Sequence, residues 1–139
     1  MVTNKSTTYF LWVLKIIASA IMLQTLFFKF TAAPESVYIF TTLGLEPFGR
    51  IGVGALELTA SILILISKTT VYGAILAMGL MAGAIFFHLT KLGIVVKGDG
   101  GQLFILAAIV FISSAILAYF YRIQLYILLF KNKNLYTGV

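Results

Sequence analysis

The sequence predicts an all-α fold, in which the four transmembrane helices of a polytopic membrane protein pack as an antiparallel bundle. Hydrophobic residues make up 61% of the 139 residues and charged residues only 10%, and the mean hydropathy of +1.08 is far above that of an ordinary soluble domain. Several nearly charge-free runs approach the roughly 20 residues that a helix needs to cross about 30 Å of hydrocarbon. With no internal repeat and no shift in composition, we expect residues 1–139 to form a single membrane domain.

The first predicted span covers residues 9–30. A single lysine precedes its long apolar run and no small-residue cleavage pattern follows, so we interpret the run as a retained helix rather than a removed signal peptide. Lys15 lies near the start of this span and is expected to extend its ammonium group to the nearby membrane surface. In residues 34–44, Pro34 suits the first turn of a short helix and Gly44 suits its end. We expect this interfacial helix to lie on the membrane between the first two spans.

Three further spans are predicted at residues 48–66, 71–90 and 101–122. The connector between the second and third spans is only a few residues long, which makes these two helices antiparallel neighbours. Gly79 and Gly83 form a small-xxx-small spacing in the third span, a pattern that favours close helix packing. After the fourth span, the segment RIQLYILLFKNK is predicted to extend past the bilayer as an amphipathic helix.

Four spans place both termini on one side of the membrane. That side would receive Lys5, Lys15, Lys68, Arg122, Lys131 and Lys133, and the other side Lys29, Arg50, Lys91 and Lys97 together with all four acidic residues. This bias of lysine and arginine favours termini in the cytoplasm. The net charge of +6 is then expected to contact anionic lipid headgroups, and no basic patch in a recognition fold points to nucleic acid.

One carboxylate, Glu57, interrupts the apolar second span with no other charge near it in the sequence. An ionisable residue within a membrane span needs a partner, a proton or a polar cavity, and is a functional-site hypothesis by default. Because removing a charge from water is costly, we predict that Glu57 lies within hydrogen-bonding range of Lys29 or His88. The alternative is a purely structural role, in which Glu57 pairs with Lys29 to hold the first two spans in register.

The antiparallel order places the polar residues of the spans in one layer. At 1.5 Å per residue, Gln24 lies in the same half of the membrane as Lys29, and Glu57 lies roughly 10 Å below Arg50. His88, late in the third span, reaches the same layer, and small residues flank these positions at helical spacing. We therefore predict a pocket in the outer half of the bundle, with polar contacts from Lys29, Glu57 and His88. Gln24 and Arg50 are further candidates for contacts to a ligand.

The chain contains no cysteine and one histidine. The absence of cysteine excludes dithiol–disulfide chemistry and thiolate-ligated metal centres. For His88, a hydrogen-bonding role within the bundle is favoured over metal ligation, so we expect no metal site. We also find no signature of a cofactor in the chain itself.

Several short motifs together resemble the DoxX family. They are the lysine that ends the first span in LFFKF, the turn LGLEPF, the pair Gly54 and Glu57 early in the second span, and the histidine late in the third. The resemblance implies a small four-span protein of the bacterial inner membrane. Family members have been tied to the membrane subunit of thiosulfate:quinone oxidoreductase and to redox-stress complexes, and animal relatives include cargo receptors and receptor-assembly chaperones. Carried over to this chain, the polar family positions correspond to Lys29, Glu57 and His88, with Gly54 as a packing neighbour.

Two classes of function are consistent with these features. In the first, the protein is a redox-associated membrane subunit that binds a quinone or a lipid-like small molecule. Glu57 and His88 are then the candidate catalytic residues that exchange or orient protons, Lys29 holds charge, and a redox partner protein supplies electrons. In the second, the protein is a non-enzymatic chaperone, cargo receptor or lipid-binding module that uses the same polar layer. The sequence leaves open whether the chain forms a homo-oligomer.

Overall fold

The computed structural model of the protein describes residues 4–131, which are helical apart from short connections. The helices are α1 (Lys5–Phe30), α2 (Pro34–Thr42), α3 (Phe48–Leu65), α4 (Thr70–Phe87), α5 (Gln102–Phe120) and α6 (Arg122–Lys131). α4 continues into a π-helical turn, His88–Leu92. Four segments, namely α1, α3, α4 with its π-helical turn, and α5, are long and apolar enough to cross a membrane. The predicted all-α bundle of four transmembrane helices is therefore confirmed, and the chain is a multi-pass membrane protein.

The first two helices follow the predicted pattern with one shift. α1 begins at Lys5 rather than at Tyr9, because the polar residues before the apolar run already form helical hydrogen bonds. The short helix predicted within residues 34–44 is present as α2. Gly44 follows it with a φ of +72°, a conformation that glycine adopts more readily than other residues.

The fourth span is shorter than predicted. α5 ends at Phe120, and the amphipathic extension is a separate helix, α6, which begins at Arg122. The part of the predicted extension that contains Asn132 and Lys133 lies outside the described residues. No residue of α6 is buried, so its apolar side chains are available to the surrounding lipid.

The four long helices form a ring in which α1 packs against α3 and α5, and α4 packs against the same two helices. Contacts between α1 and α3 run antiparallel, since Lys29 meets Glu57 while Ser19, earlier in α1, lies 3.4 Å from the carbonyl oxygen of Ser61, later in α3. Alanine is the most frequent residue of the buried apolar core, which contains Ala18, Ala60, Ala74, Ala77 and Ala107. Small residues at these positions let the helix backbones approach closely.

Glycine has two different roles in α4. At Gly73, an added Cβ atom would lie 2.6 Å from the backbone nitrogen of Ile64 and 2.7 Å from the carbonyl oxygen of Ala60, so glycine is required where α4 crosses α3. At Gly79 and Gly83, an added Cβ atom would meet no other atom within 4 Å. The prediction that this pair serves close helix packing is therefore wrong, because both glycines line a cavity instead.

Lys15 does not extend to the membrane surface as predicted. The residue is 0% exposed, and its ammonium nitrogen lies 3.2 Å from the hydroxyl of Ser67. The same nitrogen lies 4.6 Å from the ring centroids of both Trp12 and Tyr121. Two cation–π contacts and one hydrogen bond therefore stabilise the ammonium group inside the bundle. Tyr121 lies between α5 and α6, so the sequence of the first span alone could not predict these contacts of Lys15.

Gln124 attaches α6 to the turn between α3 and α4. Its side-chain amide nitrogen donates to the carbonyl oxygen of Ser67, and its amide oxygen accepts a hydrogen bond of 3.3 Å from the backbone N–H of Val71. The hydroxyl of Tyr72 lies 3.5 Å from the carbonyl oxygen of Gln124. We call this end of the molecule, which contains Lys15, Ser67 and α6, the basic end.

Candidate functional site

A cavity of about 630 Å³ lies between α1, α2, α3, α4 and α5, at the end of the bundle where α1 stops and α3 begins. We call this the cavity end. The wall of the cavity is mostly apolar and includes the aromatic rings of Phe28, Phe40 and Phe87. The predicted site residues Gln24, Lys29, Glu57 and His88 all line it. Its volume and its largely apolar wall are typical of sites that bind small molecules.

The ion pair between Lys29 and Glu57 lies at the centre of the polar part of this wall. Lys29 Nζ is 2.9 Å from Glu57 Oε2, and the two side chains are 14% and 5% exposed. The hydroxyl of Thr25 lies 3.1 Å from the same carboxylate oxygen and 2.9 Å from the carbonyl oxygen of Met22. The predicted contact between Glu57 and Lys29 is thus present, and it supplies the compensating charge that a buried carboxylate requires.

Local packing on α3 explains why Glu57 faces inward. One turn before it, an added Cβ atom at Gly54 would lie 2.8 Å from the ring of Phe30, so glycine allows the end of α1 to pack against α3. One turn after it, the buried hydroxyl of Ser61 donates to the carbonyl oxygen of Glu57 at 2.8 Å. Gly54, Glu57 and Ser61 are all buried on one face of α3, as the spacing of small and polar residues predicts.

His88 is the first residue of the π-helical turn and is 5% exposed. Its Nδ1 atom lies 2.8 Å from the carbonyl oxygen of Gly93. Because a carbonyl oxygen can only accept, Nδ1 carries a proton and donates it. The ring also packs edge-on against Phe104, with 5.8 Å between the ring centroids. These two contacts fix the orientation of the imidazole, and within residues 4–131 His88 makes no hydrogen bond to Glu57.

Arg50 does not line the cavity, in contrast to the other candidates. Its Nε atom donates to both carboxylate oxygens of Glu46, at 2.8 and 3.0 Å. Its Nη1 atom donates to the carbonyl oxygen of Lys29, one of the groups that the end of α1 leaves without a helical partner. Arg50 therefore fixes the backbone of the residue whose amine pairs with Glu57, and it acts on the site from outside.

α2 contributes more to the cavity than its predicted position on the membrane surface implies. Ser36 and Phe40 are buried on one face of this helix, and both line the cavity. Gln24 lines the cavity from an exposed position on α1. The ammonium group of Lys97 lies 5.0 Å from the ring of Tyr38 and so links α2 to the loop that follows the π-helical turn. The spacing of four residues between Ser36 and Phe40 was the available signal for an inward-facing side of α2.

Asp99 holds the loop between the π-helical turn and α5. Its carboxylate accepts hydrogen bonds from the backbone N–H groups of Val96 at 2.9 Å, Gly101 at 2.9 Å and Leu103 at 3.1 Å. Desolvation by burial raises the pKa of this carboxyl, but the hydrogen bonds from the three backbone N–H groups outweigh it and hold the pKa below its ordinary value of 3.8. The ionised carboxylate therefore stabilises both the loop and the first turn of α5.

No protein-family model matches this sequence, and neither a curated protein nor a solved structure is significantly similar to it. The resemblance to the DoxX family stays a prediction from short motifs.

Proposed function

We propose that the protein binds a quinone or a similar lipid-like small molecule in the cavity, as a redox-associated membrane subunit of DoxX type. The observation that supports this most strongly is the composition of the wall. Aromatic and aliphatic side chains surround a compact polar group formed by Lys29, Glu57 and His88. A quinone suits such a wall, because its ring and tail need apolar contacts while its oxygen atoms need only one or two hydrogen-bonding partners.

In this proposal, Glu57 and His88 exchange or orient the protons of the ligand. The ammonium group of Lys29 compensates the negative charge of Glu57. Arg50 positions Lys29 by its hydrogen bond to the carbonyl oxygen of that residue. Electrons come from a redox partner protein, since quinone chemistry requires an electron donor or acceptor and the side chains of this cavity supply none. Gln24, exposed on α1, contacts the ligand near the edge of the cavity.

A second candidate function is a non-enzymatic lipid-binding, cargo or chaperone role for the same cavity. Its support is the exposure of several wall residues, including Gln24, Phe28 and Gly79, which lie at the outside of α1 and α4. A wall that is open between membrane helices gives access to molecules dissolved in the bilayer. A phospholipid would place its headgroup at the Lys29–Glu57 pair and its chains along the apolar wall.

The orientation of the bundle belongs to the same proposal. α6 and the start of α1 lie at the basic end, and a bacterial inner membrane with this end in the cytoplasm satisfies the distribution of lysine and arginine. The cavity then lies in the outer half of the membrane. A homo-oligomeric state also stays a prediction.

A glycine substitution tests whether the cavity is the binding site. Gly83→Leu adds a side chain to the wall where there is open space, so it reduces the volume of the cavity while Lys29, Glu57 and His88 are kept. We expect the affinity for a benzoquinone with a decyl tail, measured in nanodiscs, to fall by about tenfold or more, which corresponds to about 1.4 kcal/mol.

The matched control for this test is Gly52→Leu. Gly52 also has open space around it, but it lies on an exposed face of α3 away from the cavity wall. The affinity of the Gly52→Leu variant for the quinone is expected to equal that of the wild type. Equal affinities of the wild type and Gly83→Leu would show that the quinone binds elsewhere.

A further inference from the structure

We infer that the cavity is matched to the reduced, dihydroxy form of a quinone-type ring rather than to the dicarbonyl form. This inference rests on the proposed function and adds to it which redox form the protein binds more tightly. Glu57 and His88 are the two most deeply buried ionisable residues of the wall, at 4% and 5% exposed. Each has one polar atom that makes no hydrogen bond to the described residues.

Glu57 Oε1 and His88 Nε2 make no hydrogen bond within the described chain, because the hydrogen bonds of these two residues use Oε2 and Nδ1. Of the described side-chain nitrogen and oxygen atoms that are fully sealed from solvent, only Ser114 Oγ lacks a hydrogen bond. Glu57 Oε1 and His88 Nε2 are therefore not sealed, and both retain access to open space. Since both residues are otherwise buried and line the cavity, that space is the cavity.

Glu57 Oε1 and His88 Nε2 have the same hydrogen-bonding role. Glu57 is paired with the ammonium group of Lys29, and a carboxylate accepts hydrogen bonds without donating any. In the neutral ring of His88, the proton lies on Nδ1, which donates to the carbonyl oxygen of Gly93, so Nε2 is an acceptor. The deepest part of the polar wall thus presents two acceptors.

The donors of the wall do not offset these two acceptors. Lys29 has further N–H bonds, but they lie beside the carboxylate of Glu57, so a ligand carbonyl that reached them would also meet the lone pairs of that carboxylate. The hydroxyl of Ser36 can donate or accept and does not discriminate between the two forms, and that of Thr25 already contacts Met22 and Glu57.

Gln24, Lys97 and Gln102 also line the cavity with donors, but these residues are exposed, unlike the buried Glu57 and His88. A ligand hydroxyl, in contrast, gains a charge-assisted hydrogen bond from Glu57, and such bonds are about twice as strong as neutral ones.

The test compares three ligands that share one alkyl tail: a benzohydroquinone, its dimethyl ether and the corresponding benzoquinone. Binding to the wild type in nanodiscs is measured without oxygen, so that the hydroquinone stays reduced. We expect the hydroquinone to bind about tenfold or more tightly than either of the other two, because only it can donate.

The possible results separate the inference from the proposed function. A quinone that binds as tightly as the hydroquinone, or more tightly, overturns the inference but leaves the quinone site standing. A dimethyl ether that binds as tightly as the hydroquinone also overturns it, because donation would then contribute nothing. If none of the three ligands binds, both the inference and the proposed function are wrong.

A substitution gives an independent test of the same point. Glu57→Gln keeps an oxygen atom for Lys29 and Thr25 and turns the other carboxylate oxygen into a donor. The preference for the hydroquinone over the quinone is expected to fall by about tenfold or to reverse. Glu46→Gln changes a carboxylate that is also in an ion pair but does not line the cavity, so the preference should stay at the wild-type value. An unchanged preference in a folded Glu57→Gln protein would contradict the inference.

Discussion

The two ends of the bundle bury a lysine of α1 in opposite ways. Lys29, at the cavity end, meets the carboxylate of Glu57 at 2.9 Å. Lys15, at the basic end, meets a hydroxyl and two aromatic rings, and none of the ion pairs in the described chain includes it. Burying a cation in this bundle therefore does not require a carboxylate. The carboxylate is found where the cavity lies, which favours a role for Glu57 in the cavity beyond holding α1 against α3.

The signs of the charged residues also differ between the cavity end and the basic end. The acidic residues Glu35, Glu46, Glu57 and Asp99 all belong to segments at the cavity end, where basic residues are also present. The charged residues of the basic end, Lys5, Lys15, Lys68, Arg122 and Lys131, are all positive. The cavity end can therefore form internal ion pairs, whereas the basic end is suited to contacts with anionic headgroups of the bilayer.

The strongest destabilisation is expected from Lys29→Met. This change leaves Glu57 buried without its counter-charge, and breaking a buried pair from one side typically costs about 3–5 kcal/mol. The double variant Lys29→Met/Glu57→Leu removes both charges and is expected to regain most of the loss. Thermal unfolding in detergent measures both. If the loss of the double variant equals the sum of the losses of Lys29→Met and of the single variant Glu57→Leu, the two residues are not coupled.

A smaller effect is expected from Lys15→Met at the basic end. Because Lys15 has no carboxylate partner, its removal leaves no opposite charge unpaired, and the loss is limited to two cation–π contacts of about 0.5–2 kcal/mol each and one hydrogen bond. Much of that loss is offset because a buried ammonium group no longer has to be removed from water. Under the same unfolding conditions, Lys15→Met should remain clearly more stable than Lys29→Met. The reverse order would mean that the aromatic rings stabilise a buried cation better than the carboxylate does.

The smallest effect is expected at Asp99, and it depends on pH. The pKa of this carboxyl is lowered on folding, so its stabilising contribution is fully present above its pKa in the unfolded chain and is lost as the pH falls through the folded value. Asp99→Asn cannot titrate. The wild type should therefore be more stable than Asp99→Asn at pH 7, and the difference should shrink as the pH falls below the ordinary carboxyl pKa of 3.8. A difference in melting temperature that is constant across this range would exclude the titration of Asp99 as its cause.

Much of the fold could be predicted from the sequence because the bilayer imposes strong rules on composition and length. The spans, the short helix α2 and the inward face of Gly54, Glu57 and Ser61 all follow from apolar runs and helical spacing. That Glu57 has a basic partner followed from the cost of burying a lone charge, and of the two candidates, Lys29 and His88, the structure shows Lys29. These inferences use the spacing of residues along one helix and the cost of an unpaired charge, neither of which requires knowing how distant segments pack.

The features that the sequence did not reveal depend on residues far apart in the chain. The rings that surround Lys15 come from α1 and from the junction of α5 and α6. The contacts of Arg50 join the start of α3 to the last turn of α1. The open space beside Gly79 and Gly83 belongs to a cavity that residues of five helices line. A small-xxx-small spacing is the same in sequence whether a helix or a cavity lies next to it.

The two glycines of the cavity wall separate two properties that binding sites usually combine. Gly79 and Gly83 make no side-chain hydrogen bond, and the space beside each is open, so replacing either one changes the volume of the cavity and leaves its polar group intact. The volume of the cavity is thus set on α4, while its buried polar atoms come from Glu57 and His88. Substitutions on α4 can therefore make the cavity larger or smaller without removing any of its hydrogen-bonding groups.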